Sequence, residues 1–82
     1  MDAANLILIR IDQREKAADK VQQLLTGYGC IIRTRIGFHE TDPKECASGG
    51  LIILHLTPGA EADKLKSELS GIEGVRAGKV VF

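Results

Sequence analysis

The sequence predicts an α+β domain with the element order β-α-β-β-α-β, and three features carry that prediction. Two short apolar runs, Leu6-Ile7-Leu8-Ile9-Arg10-Ile11 and Gly49-Gly50-Leu51-Ile52-Ile53-Leu54-His55-Leu56, have the length and flanking turn residues of strands that lie mid-sheet. Each is followed by a stretch with apolar residues at spacings of three and four, the period of an amphipathic helix. A polar, proline-bearing segment, residues 40–48, separates the second strand from the third as a long hairpin loop.

Strand one spans about Asn5 to Ile11. Asp12-Gln13-Arg14-Glu15 then has the form of a capping box, with Asp12 as N-cap and Glu15 at the third helical position. Ala17, Ala18, Val21, Leu24, Leu25 and Tyr28 make one apolar stripe, stopped by Gly27 and Gly29. Strand two runs from Cys30 to about His39. Strict alternation turns Cys30, Ile32, Thr34, Ile36 and Phe38 toward the helices, and Ile31, Arg33, Arg35, Gly37 and His39 away from them. After strand three, Thr57-Pro58 reads as a helix start, with threonine capping and proline at the first helical position. Ala62, Leu65, Leu69 and Ile72 form the second buried stripe, Gly71 and Gly74 end it, and Val75 to Phe82 is the last strand, whose inward face the pattern leaves open.

This order is that of the ferredoxin-like plait: an antiparallel four-stranded sheet in the order 4-1-3-2 with both helices on one face. Strands one and three are central and are expected to run parallel to each other. The other face is left bare, carrying Leu6, Leu8 and Arg10, then Leu51, Ile53 and His55, then Ile31, Arg33 and Arg35. Monomers avoid an apolar patch of that kind, so a second copy is expected to cover it.

The totals agree with a small aliphatic domain. Eighty-two residues hide only about 60% of the surface exposed by the unfolded chain. With 44% hydrophobic but 4% aromatic residues, the core has to be built from Ile, Leu and Val. Eleven basic and eleven acidic side chains cancel, which removes the bulk field that drives non-specific nucleic-acid binding. No run approaches the roughly 20 apolar residues of a membrane span, and the N-terminus has no targeting pattern, so the reading is a cytoplasmic protein without direct nucleic-acid or membrane contact. Cys30 and Cys46 match no standard zinc spacing and fall at opposite ends of strand two, which argues against a disulfide.

Gly29-Cys30-Ile31-Ile32-Arg33-Thr34-Arg35-Ile36-Gly37, followed by Gly71-Ile72-Glu73-Gly74-Val75, resembles the iron-only hydrogenase system regulators. These are small ACT-like proteins related in fold to the ligand-binding domain of the nickel-responsive repressor. The resemblance spans almost the whole chain and is carried by Gly29, Ile31, Ile32, Arg35, Gly37, Gly74 and Val75. It implies a single ACT-like domain over residues 1–82 that acts as an oligomeric regulatory module. The hairpin loop departs from the family pattern by its length and by His39 and Cys46. The ACT amino-acid site usually relies on a glycine-bearing turn after strand one, and Asp12-Gln13-Arg14 has none, so amino-acid binding is not assigned.

Three groups of residues are candidates for function. Arg10, Arg33 and His55 are expected to meet at one end of the sheet, with Arg35 on the same face and both helix N-termini nearby; they would take an anionic metabolite or form ordinary interface salt bridges. Leu6, Leu8, Leu51 and Ile53 are the interface candidates. His39 and Cys46 offer imidazole and thiolate to nickel, zinc or iron, whereas His55, roughly 17 Å along its strand from the hairpin loop, could join them only across a subunit boundary. No nucleophile setting and no phosphate loop is present, since Gly27-Tyr28-Gly29 follows a helix rather than a strand. The expectation is a non-enzymatic regulatory module, a homodimer or tetramer, that senses a small anionic ligand or a partner protein without a cofactor. The alternative is a transition-metal sensor or delivery protein.

Overall fold

Strand β1 (Asn5–Ile11) leads into helix α1 (Arg14–Gly27), and a single 3₁₀ turn at Gly29–Ile31 opens β2 (Ile32–Glu40). Strand β3 (Gly49–Leu56), helix α2 (Ala62–Ser70) and β4 (Val75–Val81) complete the predicted order. The computed structural model describes residues 3–12, 14–40 and 49–82, and the side chains at 3–12, 17–38 and 50–82. The strands lie in the order β2-β3-β1-β4, which is 4-1-3-2 read from the other edge.

All three pairings are antiparallel, including β1 with β3, which corrects the parallel expectation for the central pair. The reason lies in the connections. A crossover through a helix returns the chain in its original direction, whereas a hairpin reverses it. Strand β2 therefore runs as β1 does, and β3, inserted between them by the hairpin, opposes both.

The core is aliphatic, as the composition requires. Ile7, Ile9 and Ile11 of β1, Ile52, Leu54 and Leu56 of β3, and Val75 of β4 are buried under Ala17, Val21 and Leu25 of α1 and Ala62, Leu65 and Leu69 of α2. Each large side chain removed from water stabilises the fold by roughly 1.5–3 kcal/mol. Leu24, Tyr28 and Ile72 are partly buried against the same cluster, so both predicted helical stripes face the sheet.

Two local expectations are overturned. Thr57-Pro58 does not start α2, which begins four residues after Pro58, at Ala62. The Ala60 amide donates to the Thr57 carbonyl at 3.2 Å, and Gly59 has φ +76°. Proline followed by a positive-φ glycine, closed by that hydrogen bond, is the pattern of a type II turn, and a left-handed residue cannot continue into a right-handed helix. The second correction concerns β2. Its register with β3 slips between Ile32 and Thr34, so that Ile32 lies opposite Leu56 but Thr34 lies opposite His55. This β-bulge adds one residue to β2 and inverts its faces from there on. Arg35 and Gly37, opposite the core residues Leu54 and Ile52, turn toward the helices; Ile36 and Phe38, opposite Ile53 and Leu51, turn away. Of the proposed capping box, Gln13 and the Glu15 side chain lie outside the described residues.

Pairing with β1 settles the faces of β4. Val75, Ala77 and Lys79 lie opposite Ile11, Ile9 and Ile7 on the helix side, and Arg76, Gly78 and Val80 lie opposite Arg10, Leu8 and Leu6 on the open side. Lys79 reaches the first turn of α2, where its ammonium lies 2.8 Å from the Asp63 carboxylate. The hydrogen bond from Lys79, and then its charge, hold the Asp63 carboxyl below its ordinary value. A lowered folded-state pKa contributes stability that is complete above the unfolded value of about 3.9 and is lost as pH falls through the folded value. In a carboxyl NMR titration, Lys79→Met is expected to return Asp63 toward the ordinary range; an unchanged titration would mean that the pair does not form in solution.

Candidate functional site

None of the described elements covers the face of the sheet away from the helices. Its centre consists of Leu6 and Leu8 from β1 and Leu51 and Ile53 from β3, all only partly buried. Val80 of β4 extends it on one side, and Ile36 and Phe38 of β2 extend it on the other, 48% and 52% exposed. The four leucine and isoleucine positions predicted to form a bare face therefore do so. The contribution of β2 differs from expectation, because the bulge supplies Thr34, Ile36 and Phe38 in place of Arg33 and Arg35, and Ile31 lies in the 3₁₀ turn ahead of the strand.

The expected cluster of Arg10, Arg33 and His55 is not assembled. With β1 and β3 antiparallel, Arg10 lies opposite Leu51 while His55 lies opposite Leu6, four residues away along β1, or about 13 Å. Arg33 sits in the bulge beside the His55 end. The same reversal separates the helix N-termini: α1 follows the Ile11 end of β1 and α2 follows the Leu56 end of β3, at opposite ends of the sheet.

A different basic pair stands in the cluster's place. Arg10 faces Arg76 directly across β1 and β4. Asp12 bridges the two, with Oδ1 3.3 Å from Arg10 Nε and Oδ2 3.6 Å from the Arg76 guanidinium. The two arginines border a shallow groove of about 310 Å³ whose floor is open because Gly78 brings no side chain opposite Leu8. Sequence patterning did not single out Arg76, although alternation along β4, counted from the apolar Val75, would have put it on the open face. The polar groups thus lie toward the two ends of the face, with Arg10, Arg76 and Asp12 at one end and His55 and Thr34 at the other, and the middle is apolar.

The metal candidates receive no support from the described residues. Cys46 and the His39 side chain lie outside them, and among the described residues no group of three His, Cys, Asp or Glu side chains is placed to hold a metal ion. Cys30 is exposed in the 3₁₀ turn. No helix among the described residues is long and apolar enough to cross a membrane.

Neither a protein-family model nor a curated protein matches the chain. Among solved structures it is similar to an uncharacterized protein from Thermotoga maritima, with 28% sequence identity over 96% of this chain and 95% of that one and a TM-score of 0.81.

Proposed function

We propose that the chain is a non-enzymatic regulatory module of the cytoplasm that assembles with further copies through its open sheet face, as a dimer or tetramer, and senses a small ligand or a partner protein. The observation that carries this reading is the continuous apolar surface of Leu6, Leu8, Leu51, Ile53, Ile36 and Phe38. An apolar centre with polar groups toward the margins is the anatomy of a protein interface. In a two-fold arrangement each side chain at the centre meets the same patch of its partner, so every contact counts twice. The resemblance of the Gly29–Gly37 and Gly71–Val75 stretches to the iron-only hydrogenase system regulators supports a role in regulating such a system. The similarity to the Thermotoga protein supports the plait on which that role would rest.

Sedimentation velocity at micromolar protein tests the assembly. A dimer or larger species is expected, and a single protomer across the concentration range would overturn the proposal.

A further inference from the structure

The β-bulge has a second effect, on the helix side of the sheet. By turning Ile36 and Phe38 outward it leaves Arg35 and Gly37 as the residues of edge strand β2 that face α1. Two large apolar side chains would have closed the core at this edge. In their place are an arginine whose charge belongs in water and a glycine with no side chain. A Cβ built on Gly37 would meet nothing within 4 Å. The result is a cleft of about 270 Å³ between α1 and β2, floored by Ile11 and Ile52, walled by Ala18 and Gln22, and bordered by Arg35 and Gly37.

We infer that this cleft is a binding site for a small aliphatic carboxylate. Concave sites that are mainly apolar, with a few placed polar groups, are where proteins hold small molecules. The floor is hydrocarbon, from Ile11, Ile52 and Ala18, and it suits an unbranched or lightly branched chain. The Arg35 guanidinium presents a planar fork that matches a carboxylate bidentately. Among the described residues no carboxylate pairs with it. The described α1 residues on the wall are alanine and glutamine, and the Gln22 amide adds an uncharged donor. The size sets the class: at ~30 Å³ per water, the cleft equals about nine water molecules, room for a chain of roughly six carbons and its carboxylate. Bulges recur beside functional sites because they re-aim individual side chains, as this one re-aims Arg35. The inference deepens the sensing half of the proposed function and is independent of assembly, because the whole cleft lies within one protomer.

The test is a titration of the isotope-labelled protein with hexanoate, hexanamide and inorganic phosphate, followed by backbone amide shifts. Hexanoate is expected to give saturable shifts centred on Ala18, Gln22, Gly37 and Ile52. Hexanamide, isosteric but uncharged, should bind at least about tenfold more weakly, since a hydrogen bond to a charged partner is worth that factor or more. Arg35→Met should weaken hexanoate by a similar factor, and Gly37→Leu, which fills the cleft, should abolish the shifts. Should Gly37→Leu fail to fold, Arg35→Met at an exposed side chain carries the comparison alone. No saturable hexanoate shift, equal binding of hexanamide, a response to phosphate but not to hexanoate, or binding unchanged by the substitutions would each overturn the inference. Sedimentation of the same samples reports assembly separately, so loss of this inference and loss of the proposed oligomer are distinguishable.

Discussion

Leu8→Glu is expected to release single, folded protomers from the assembly. Leu8 lies at the middle of the open face, between Ile53 of β3 and Gly78 of β4. The substitution removes an apolar contact worth roughly 1.5–3 kcal/mol if fully buried, and places a carboxylate in an apolar patch that a second copy would desolvate. Two-fold symmetry applies the loss twice. Self-association should weaken by at least ~100-fold, using about 1.4 kcal/mol per factor of ten. Within the protomer the side chain is partly in water, so far-ultraviolet circular dichroism should be retained. Sedimentation equilibrium of the variant beside the parent reads the result, and an unchanged mass would remove the open face from the interface.

Leu54→Ala is expected to be the most damaging single truncation for the fold itself. Leu54 is fully buried in β3, opposite Ile7 of β1 and Arg35 of β2. Deleting most of a buried leucine costs about 2–5 kcal/mol through lost transfer energy and the cavity left behind. A domain of this size has a total stability on the order of 5–15 kcal/mol, and each 1 kcal/mol moves the melting temperature by about 4–8 °C. A fall of at least ~10 °C should appear in thermal unfolding. Ile36→Ala, at a side chain 48% exposed on the other face, serves as the comparison and should leave protomer stability within about 1 kcal/mol. Equal effects of the two would contradict the division between the covered and open faces.

The parts of this architecture that depend on periodicity were legible in the chain. Ala17, Val21 and Leu25 on α1, Leu65 and Leu69 on α2, and Ile7, Ile9, Leu54 and Leu56 in the central strands announce their burial through spacings of three and four or of two. Leu6, Leu8, Leu51 and Ile53 followed from the same alternation. What escaped depends on pairing between strands. The direction of β3 follows from its hairpin connection to β2, and taking it as parallel brought Arg10 and His55 together when they belong about 13 Å apart. The bulge at Arg33 leaves no compositional trace, because it is a mismatch in count between two strands; it exchanged the faces of Arg35 and Gly37 with those of Ile36 and Phe38. Arg76 was not assigned to a face because Gly78 and Lys79 blur the apolar alternation of its strand, and pairing with β1 makes the faces plain. Thr57-Pro58 carries the chemistry of a helix start, but Pro58-Gly59 is equally a turn signal, and the positive φ of Gly59 shows that the turn prevails.

Because side chains alternate along a strand, parity decides which environment each meets, and β2 changes parity at one point. A relative lacking a single residue near Arg33 would put Ile36 and Phe38 back beneath α1 and leave the arginine and glycine in solvent. Its interior would gain hydrocarbon and its outer surface would lose adhesive area. Insertion or deletion of one codon at that spot therefore offers evolution a short path between self-sufficient and sociable versions of the same plait.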